Sequence, residues 1–377
     1  MAGDGGSKSM LKAAIDPRAC ADRVMAERNM LFGSDNWAGA SDKVMAALVE
    51  ANAGLVPAYG SDGITARLEK RLADVFEREV GVVLVATGTA ANSLATTGYC
   101  PPHGAIVAHE TAHLVTDECG APEFFGSNKI LTLAGARGKI DADALGTLLA
   151  KPPRGVHHVL PSVLTLTQAT EMGTVYTLDE VRKLSDIAKS KGLSVHMDGA
   201  RLANAIASLG CSAADITWKA GVDVLSFGAT KGGCLIAEAI VLFRPDDFER
   251  FSYLRKRSGQ LVSKHRVLSA QFDAWLEGSH WLELAVHANS MARRLAAGIN
   301  RSSAARLQWQ PEANELFVYM EKTTAERLLA SGAQFYEWDV DGFTAADLPS
   351  SGEGVYRFVT SFRTSEADVD GFLTVLG

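Results

Sequence analysis

Three short motifs place polar or charged residues directly after apolar runs of the 377-residue chain. They are TGTAAN (87–92), HMDGAR (196–201) and ATKGG (229–233). In an open α/β sheet, ligands bind at the carboxyl ends of the strands. Motifs in these positions are therefore candidates for one shared site.

The turn TGTAAN predicts an anion site. Gly88 and Thr89 follow the run VGVVLVA and precede a predicted helix, whose first N–H groups would face a bound anion. A phosphate could be held there without a basic side chain. The alternative is an ordinary strand–helix turn with a threonine cap, because small turns that contain glycine are common.

Asp198 and Lys231 are charged residues at the predicted ends of apolar strands. A buried carboxylate needs a partner, and Asp198 would suit a protonated heterocyclic nitrogen; an ion pair with Arg201 is the structural alternative. Lys231, which two glycines follow, suits Schiff-base chemistry because burial lowers the pKa of a lysine. A surface lysine in a loop is its alternative.

Together, the three motifs match the requirements of one cofactor. Pyridoxal phosphate needs an anion site, a partner for its pyridinium nitrogen and a lysine that carries it as a Schiff base. A nucleotide-binding α/β protein is the rival interpretation, but the chain contains neither GxGxxG nor GxxxxGK[ST], the motifs that hold nucleotide phosphates in many such proteins.

The elements that must position these residues are visible as apolar runs separated by helix-like segments. Runs rich in β-branched residues predict strands that are buried on both faces. Strands that alternate with helices predict an α/β fold, with a mostly parallel seven-stranded sheet between helices. The predicted strands span residues 80–87, 104–109, 129–133, 157–168, 193–200, 222–230 and 237–243.

The pattern changes after Phe243. Helical segments and then short strand-like pieces predict a small C-terminal α+β domain behind the large cofactor-binding domain. The predicted units are an N-terminal arm (1–28), a large domain (29–265) and a small domain (266–377).

Composition excludes several classes of protein. A net charge of −7 argues against a nucleic-acid surface, and no apolar run reaches the roughly 18 residues that a membrane helix needs. The five cysteines form no CxxC pair, so we expect reduced thiols and no metal site. The N-terminal residues lack the apolar segment of a secretory signal. We therefore expect a cytoplasmic protein.

The chain resembles the L-threonine aldolases, pyridoxal-phosphate enzymes of the aspartate-aminotransferase-like fold. The resemblance runs from about Phe32 to the C terminus and is closest to the low-specificity and phenylserine-type bacterial branch. The motifs that carry it are FGSDN (32–36), AYGSDGITARLE (58–69), ATGTAAN (86–92), TAHL (111–114), HMDGAR (196–201), ATKGG (229–233) and YRFVTSF (356–362).

The resemblance implies a role for each residue at the cofactor. Lys231 would carry the cofactor and Asp198 would pair with its ring nitrogen. His113 would stack on the ring, while Gly88 and Thr89 would hold the phosphate.

Further residues are implied around the phosphate and the substrate. Ser34, Arg201 and Arg357 would bind the substrate carboxylate, Arg201 lying also against the cofactor. Tyr59 would reach the site across a subunit boundary. A basic residue of segment 255–266 would help to neutralise the phosphate. Lys264 is the residue favoured for that role.

A histidine near the substrate side chain is the remaining implied catalytic residue. Either His157 or His158 would take this place, and His158 is the candidate carried forward. It, or a water that it activates, would remove the proton of the β-hydroxyl group.

The resemblance implies reversible cleavage of a β-hydroxy-α-amino acid to glycine and an aldehyde. Substrates of the L-threonine, L-allo-threonine or phenylserine type would suit it. The alternative is a β-eliminating lyase, transaminase or racemase that uses the same cofactor. The fold also implies a homodimer or homotetramer with shared active sites.

Three departures from the family pattern leave the substrate open. The chain has SDN (34–36) where many members have SDT, and TQATEMG (167–173) where many have an ENTHN-like stretch. Its lysine motif is TKG rather than SKG. The changes touch the side-chain end of the substrate site.

Overall fold

The larger part of the chain is built around a seven-stranded sheet, as the alternating pattern predicts. The computed structural model describes residues 30–152, 155–340 and 343–377. The strands of this sheet are β1 (Gly81–Val85), β2 (Gly104–His109), β3 (Lys129–Leu133), β4 (Leu160–Thr167), β5 (Ser194–Gly199), β6 (Val224–Gly228) and β7 (Glu238–Leu242). They lie in the order β1-β7-β6-β5-β4-β2-β3. Only the pairs that involve β7 are antiparallel, so the predicted α/β class is confirmed.

The sheet is largely buried because most of its strand residues are apolar. Every residue of β1, β2, β6 and β7 is buried, which requires helices on both faces. These helices are α1 (Asp42–Ala51), α2 (Gly63–Val75), α3 (Gly88–Tyr99), α4 (His113–Thr116), α5 (Ala121–Gly126), α6 (Ala142–Ala150), α7 (Leu178–Lys189), α8 (Leu202–Leu209), α9 (Ala213–Ile216), α10 (Phe248–Arg257) and α11 (Arg266–Leu276). Thr177 begins α7 as part of a capping box with Glu180.

A smaller unit follows, built on an antiparallel sheet. Its strands are β8 (Ala305–Leu307), β9 (Glu315–Glu321), β10 (Tyr336–Glu337) and β11 (Glu353–Val359), in the order β10-β11-β9-β8. Its helices are α12 (His280–Ile299), α13 (Lys322–Ala330) and α14 (Glu366–Leu376). The predicted small α+β unit is therefore present.

Side-chain packing around the predicted boundary shows which core each helix contacts. Phe272 and Trp275 on α11 belong to the core of the large sheet, where both contact Phe227 of β6. The core of the small unit begins at Met291, within α12, and also contains Phe32. Side chains of α11 and of the start of α12 thus pack on the core of the large sheet, and the division after residue 265 stays a prediction. The predicted arm (1–28) lies outside the described residues.

Two further features of the described ranges bear on the class of protein. None of their helices combines the length and the apolar character needed to cross a membrane. Cys100, Cys119, Cys211 and Cys234 are free thiols, while Cys20 lies outside the described residues.

Candidate active site

The carboxyl ends of three neighbouring strands bring the sequence motifs to one edge of the large sheet. Thr167 on β4 lies beside Asp198 on β5, which lies beside Ser226 on β6. Lys231 comes shortly after β6, and its positive charge helps to lower the pKa of the Asp35 carboxyl. The strand-end aspartate and the lysine thus occupy the same edge, as the sequence predicts.

A chain of hydrogen bonds links Asp198 to His113. Asn92 on α3 donates from Nδ2 to Oδ2 of Asp198 over 2.9 Å and to Oε1 of Glu118 over 2.8 Å. The same Glu118 oxygen lies 2.9 Å from Nδ1 of His113. This hydrogen bond raises the pKa of His113 against the opposing effect of burial. His113 is therefore held in place through the residue that also contacts Asp198.

Asp198 is a buried carboxylate without a cationic partner among the described residues. It is 3% exposed, and among the described residues it forms no ion pair within 4 Å. Arg201, the alternative partner, binds Asp35 instead. A buried carboxylate is costly without a cation, and a protonated pyridine nitrogen would supply one. Asp198 therefore fits the pyridinium end of the cofactor.

The N terminus of α3 fits the phosphate end. Thr87 caps the helix, its Oγ1 accepting from the N–H of Ala90, while the N–H groups of Gly88 and Thr89 donate to no group of the described residues. A β-carbon on Gly88 would meet open space, and a cavity of about 140 Å³ lies against Thr87, Thr89 and Gln260. Free N–H groups at a helix N terminus bind anions. The φ of Gly88 does not lie in the left-handed region, so its backbone conformation does not require glycine. A glycine there leaves space for a phosphate beside its N–H.

Segment 255–266 reaches this cavity through residues other than Lys264. Gln260 accepts from the N–H of Ala86 over 3.0 Å, and Ser258 also lines the cavity, whereas Lys264 is exposed. Arg255 is a buried cation of the segment, and its Nε has no hydrogen-bond partner among the described residues. Burial lowers its pKa. Lys264 at the phosphate therefore stays a prediction, with Arg255 as a further candidate from the same segment.

The predicted carboxylate-binding arginines meet in a buried cluster. Arg201 donates from Nε and Nη2 to the two oxygens of Asp35 over 2.8 and 3.0 Å. Its Nη2 also lies 3.3 Å from Oε1 of Glu315, and Nη1 of Arg357 lies 3.7 Å from the same oxygen. The structure therefore brings Arg201 and Arg357 together, although Arg201 is already engaged by Asp35.

Asp35 keeps its charge in spite of its burial. Burial alone would raise its pKa, but the positive charges of Arg201 and Lys231 and hydrogen bonds from Arg201 and Asn314 outweigh it and lower the pKa to about 2. Next to it, Ser34 caps a short 3-10 turn, its Oγ accepting from the N–H of Asn36. Ser34 is thereby placed beside the arginine cluster.

Tyr59 lies on the surface and not inside the site of its own chain. Its side chain is exposed, with a left-handed φ of 60°, and Nζ of Lys256 lies 5.5 Å from the centre of its ring. Its N–H donates to the carbonyl oxygen of Ser263, which ties the tyrosine loop to the segment beside the phosphate cavity. Its predicted reach into a partner's site stays a prediction.

His157 and His158 do not reach the site of their own chain, so their predicted place near the substrate stays a prediction. Both are exposed and precede β4, His157 closing the 3-10 turn Gly155–His157. The site lies beyond the other end of β4, which has 8 residues and is thus about 26 Å long at ~3.3 Å per residue. Parallel strands bring only their carboxyl ends to the site, and these histidines stand at an amino end.

Glu171 is a charged residue near the candidate site that no motif in the sequence singled out. It follows the carboxyl end of β4 in the TQATEMG segment, and it is half-buried. Its negative charge raises the pKa values of His113, Arg201 and Glu315. The one signal in the sequence was the departure of this segment from the family pattern.

Comparison with known proteins agrees with this geometry. Residues 32–323 match the family model for the beta-eliminating lyases. The chain is 42% identical to the low specificity L-threonine aldolase of Pseudomonas aeruginosa over 341 residues, which cover 90% of this chain and 95% of that protein. A structure of Leishmania major threonine aldolase superposes with a TM-score of 0.84 at 28% identity, covering 92% of this chain and 98% of that chain.

A more distant structure shares the fold alone. The putative L-allo-threonine aldolase of Listeria monocytogenes has a TM-score of 0.70 at 20% identity, covering 92% of this chain and 95% of that chain. The match with the beta-eliminating lyase model and the identity to the Pseudomonas enzyme confirm the predicted resemblance and the dependence on pyridoxal phosphate. The chain belongs to the pyridoxal-phosphate-dependent beta-eliminating lyase family, in its threonine aldolase branch.

Proposed function

We propose that this protein cleaves β-hydroxy-α-amino acids such as L-threonine reversibly to glycine and an aldehyde. The single observation that carries the proposal is the arrangement of one anion cradle, one unpaired buried carboxylate and one strand-end lysine at the same sheet edge, next to two arginines. Bound pyridoxal phosphate would supply an electron sink for the electrons of the broken Cα–Cβ bond.

Each end of the cofactor has its residues in this chain. Lys231 would attach it, and the N–H groups of Gly88 and Thr89 would bind its phosphate. Asp198 would keep a proton on the ring nitrogen, because a buried carboxylate favours a cation beside it. His113, fixed by Glu118, would cover one face of the ring.

The arginine cluster would hold the substrate carboxylate. Arg357 is the better donor, because its Nε is buried without a hydrogen-bond partner among the described residues. Arg201 would contribute the guanidinium edge that Asp35 leaves free. Binding the carboxylate on one side fixes which bond at Cα stands perpendicular to the ring.

Glu171 takes the role first assigned to the histidine pair. Its negative charge acts on both His113 and Arg201, the residues proposed to stack on the ring and to bind the carboxylate. We propose that Glu171, directly or through a water, accepts the proton of the β-hydroxyl group. A base in this role contributes about 10²- to 10⁴-fold to the rate.

The function is tested by product analysis with L-threonine, L-allo-threonine and phenylserine. We expect glycine and the matching aldehyde in equal amounts. Lys231→Ala should abolish turnover, whereas the exposed control Lys191→Ala should retain it. Ammonia and a keto acid as main products would instead favour β-elimination, and full turnover by Lys231→Ala would refute the proposal.

Glu171→Gln separates the base from the rest of the site. Cleavage of L-threonine should slow by about 10²-fold, while exchange of the α-hydrogen of glycine with solvent continues, because glycine has no hydroxyl proton to lose. The surface variant Asp179→Asn should change neither rate. Equal losses of cleavage and exchange would show that Glu171 is not the base.

We also propose a homodimer or homotetramer. Exposed apolar side chains between residues 45 and 59 support it: Met45, Val49, Leu55, Val56 and Tyr59. Large exposed apolar patches mark interfaces with other proteins.

A further inference from the structure

Glu315 is a buried carboxylate that stands between the two arginines of the substrate site. Its side chain is 0% exposed, and its Oε1 lies 3.3 Å from Arg201 and 3.7 Å from Arg357. Among the described residues neither of its oxygens has a hydrogen-bond partner. Glu315 is therefore held by the two positive charges and not by directed hydrogen bonds.

Glu315 has two positive and two negative neighbours before a substrate binds. Arg201 and Arg357 face it, and Asp35 and Glu171 are the neighbouring carboxylates. Burial raises the pKa of Glu315, the two arginines lower it, and the two carboxylates raise it again, so that the pKa lies above its usual value. Asp35 stays ionised because Arg201 binds both its oxygens.

An arriving carboxylate would need the guanidinium groups that Glu315 already neutralises. Two carboxylates that share one site do not both stay ionised, because their repulsion raises one pKa strongly. Asp35 has directed hydrogen bonds that stabilise its charge, and Glu315 has none. Glu315 is therefore the carboxylate that is expected to become protonated.

We propose that Glu315 takes up one proton when the carboxylate of an amino acid binds at Arg201 and Arg357. This rests on the proposed function, which puts the substrate carboxylate at that place. The proton comes from solvent and forms an O–H bond on one oxygen of Glu315, and it returns to solvent when the product leaves. The bound carboxylate then replaces Glu315 as counter-ion of the two arginines.

Proton uptake couples substrate affinity to pH. In the range where Glu315 is ionised in the free enzyme, its contribution weakens binding about tenfold for each unit of rising pH. Deprotonation of the substrate amine acts in the opposite direction, so affinity alone does not isolate Glu315. The number of protons exchanged on binding does.

The test is calorimetric titration of the holoenzyme with glycine, at one pH, in two buffers that differ in ionisation enthalpy. The wild type should take up about one proton more per site than Glu315→Gln, because the amine contributes equally in both proteins. Glu321→Gln, at the exposed end of the same strand, should match the wild type. Equal proton counts in the wild type and Glu315→Gln overturn the inference.

A measurement on the wild type alone covers the case in which Glu315→Gln does not fold. The infrared difference spectrum on adding glycine should gain a band of a protonated carboxyl group. Glycine binding without this band overturns the inference and leaves the proposed function standing. No glycine binding by the wild type overturns both.

Discussion

At the scale of single residues, a hydrogen-bond network joins two residues of the proposed cofactor site, Asp198 and His113. The residues between them are Asn92 and Glu118. Asn92 donates one N–H to each carboxylate. A displacement of either carboxylate therefore strains the hydrogen bond to the other. Buried hydrogen-bonded networks of this kind stiffen a site. We infer that the ring-stacking histidine and the pyridinium partner are positioned as one unit.

The hydrogen bond between Glu118 and His113 sets a pH dependence. It raises the pKa of His113, so the histidine keeps its proton to a higher pH than a free imidazole. Glu118→Gln should lower that pKa, and the histidine should lose its proton at a lower pH. A nuclear magnetic resonance titration of His113 measures the shift, and the exposed neighbour Asp117→Asn should cause none. An unchanged or higher pKa in Glu118→Gln would contradict the assignment.

Sequence reasoning found the residues whose type is unusual for their place in the chain. Lys231 and Asp198 end apolar runs, and a charge there demands an explanation. Asn92, Glu118 and Glu315 carry no such signal, because each depends on a contact between distant segments. The resemblance implied a histidine at 157–158, but it could not tell that both stand at the amino end of β4, away from the site of their own chain.

At the scale of elements, helix α3 serves both ends of the cofactor site. Its first residues form the anion cradle, and Asn92, one turn later, reaches Asp198. The helix also packs closely on α10, where a β-carbon on Gly98 would lie 2.1 Å from Cζ of Phe251. That contact places α10 and the following Ser258 and Gln260 against the cradle.

Gly88→Ala should separate cofactor binding from folding. A β-carbon there would enter the open cradle, and overpacking a filled site costs about 1–3 kcal/mol, so affinity for pyridoxal phosphate should fall by about tenfold or more. The same change should leave the cofactor-free protein as stable or more stable, because replacing glycine in an unstrained position stabilises by about 0.4–1 kcal/mol. Absorbance titration and thermal unfolding measure the two effects.

Gly146 on α6 offers a matched control, since a β-carbon there also meets open space. Gly146→Ala should stabilise the fold and leave cofactor affinity unchanged. Unchanged affinity in Gly88→Ala would place the phosphate elsewhere.

The sheet strands were predictable because most of them are short apolar runs rich in β-branched residues. The core on which α11 packs was not predictable, because the apolar face of such a helix can pack on either core. Only the contact of Phe272 and Trp275 with Phe227 decides it.

At the scale of the whole molecule, the exposed apolar side chains of residues 45–59 are linked through Tyr59 to the segment that lines the proposed phosphate cavity. Tyr59 on this surface is bonded to Ser263, and Leu55 is fully exposed. An interface here would bring two active sites close together, which gives the proposed assembly a role in catalysis.

Val49→Asp combined with Leu55→Asp should weaken the assembly, because it buries two charges in an apolar interface. Light scattering should show a smaller mass, and cofactor affinity should fall if Tyr59 completes a partner's site. Val156→Asp, at another exposed valine that precedes β4, should leave the mass unchanged. A double variant with the wild-type mass would exclude this surface as the interface.

The central claim is that Lys231 holds the cofactor at this sheet edge. Borohydride reduction of the holoenzyme, followed by digestion and mass spectrometry, locates the lysine that carries pyridoxal phosphate. We expect the adduct on the peptide that contains Lys231. An adduct on another lysine, or none on a protein that turns over substrate, would contradict it.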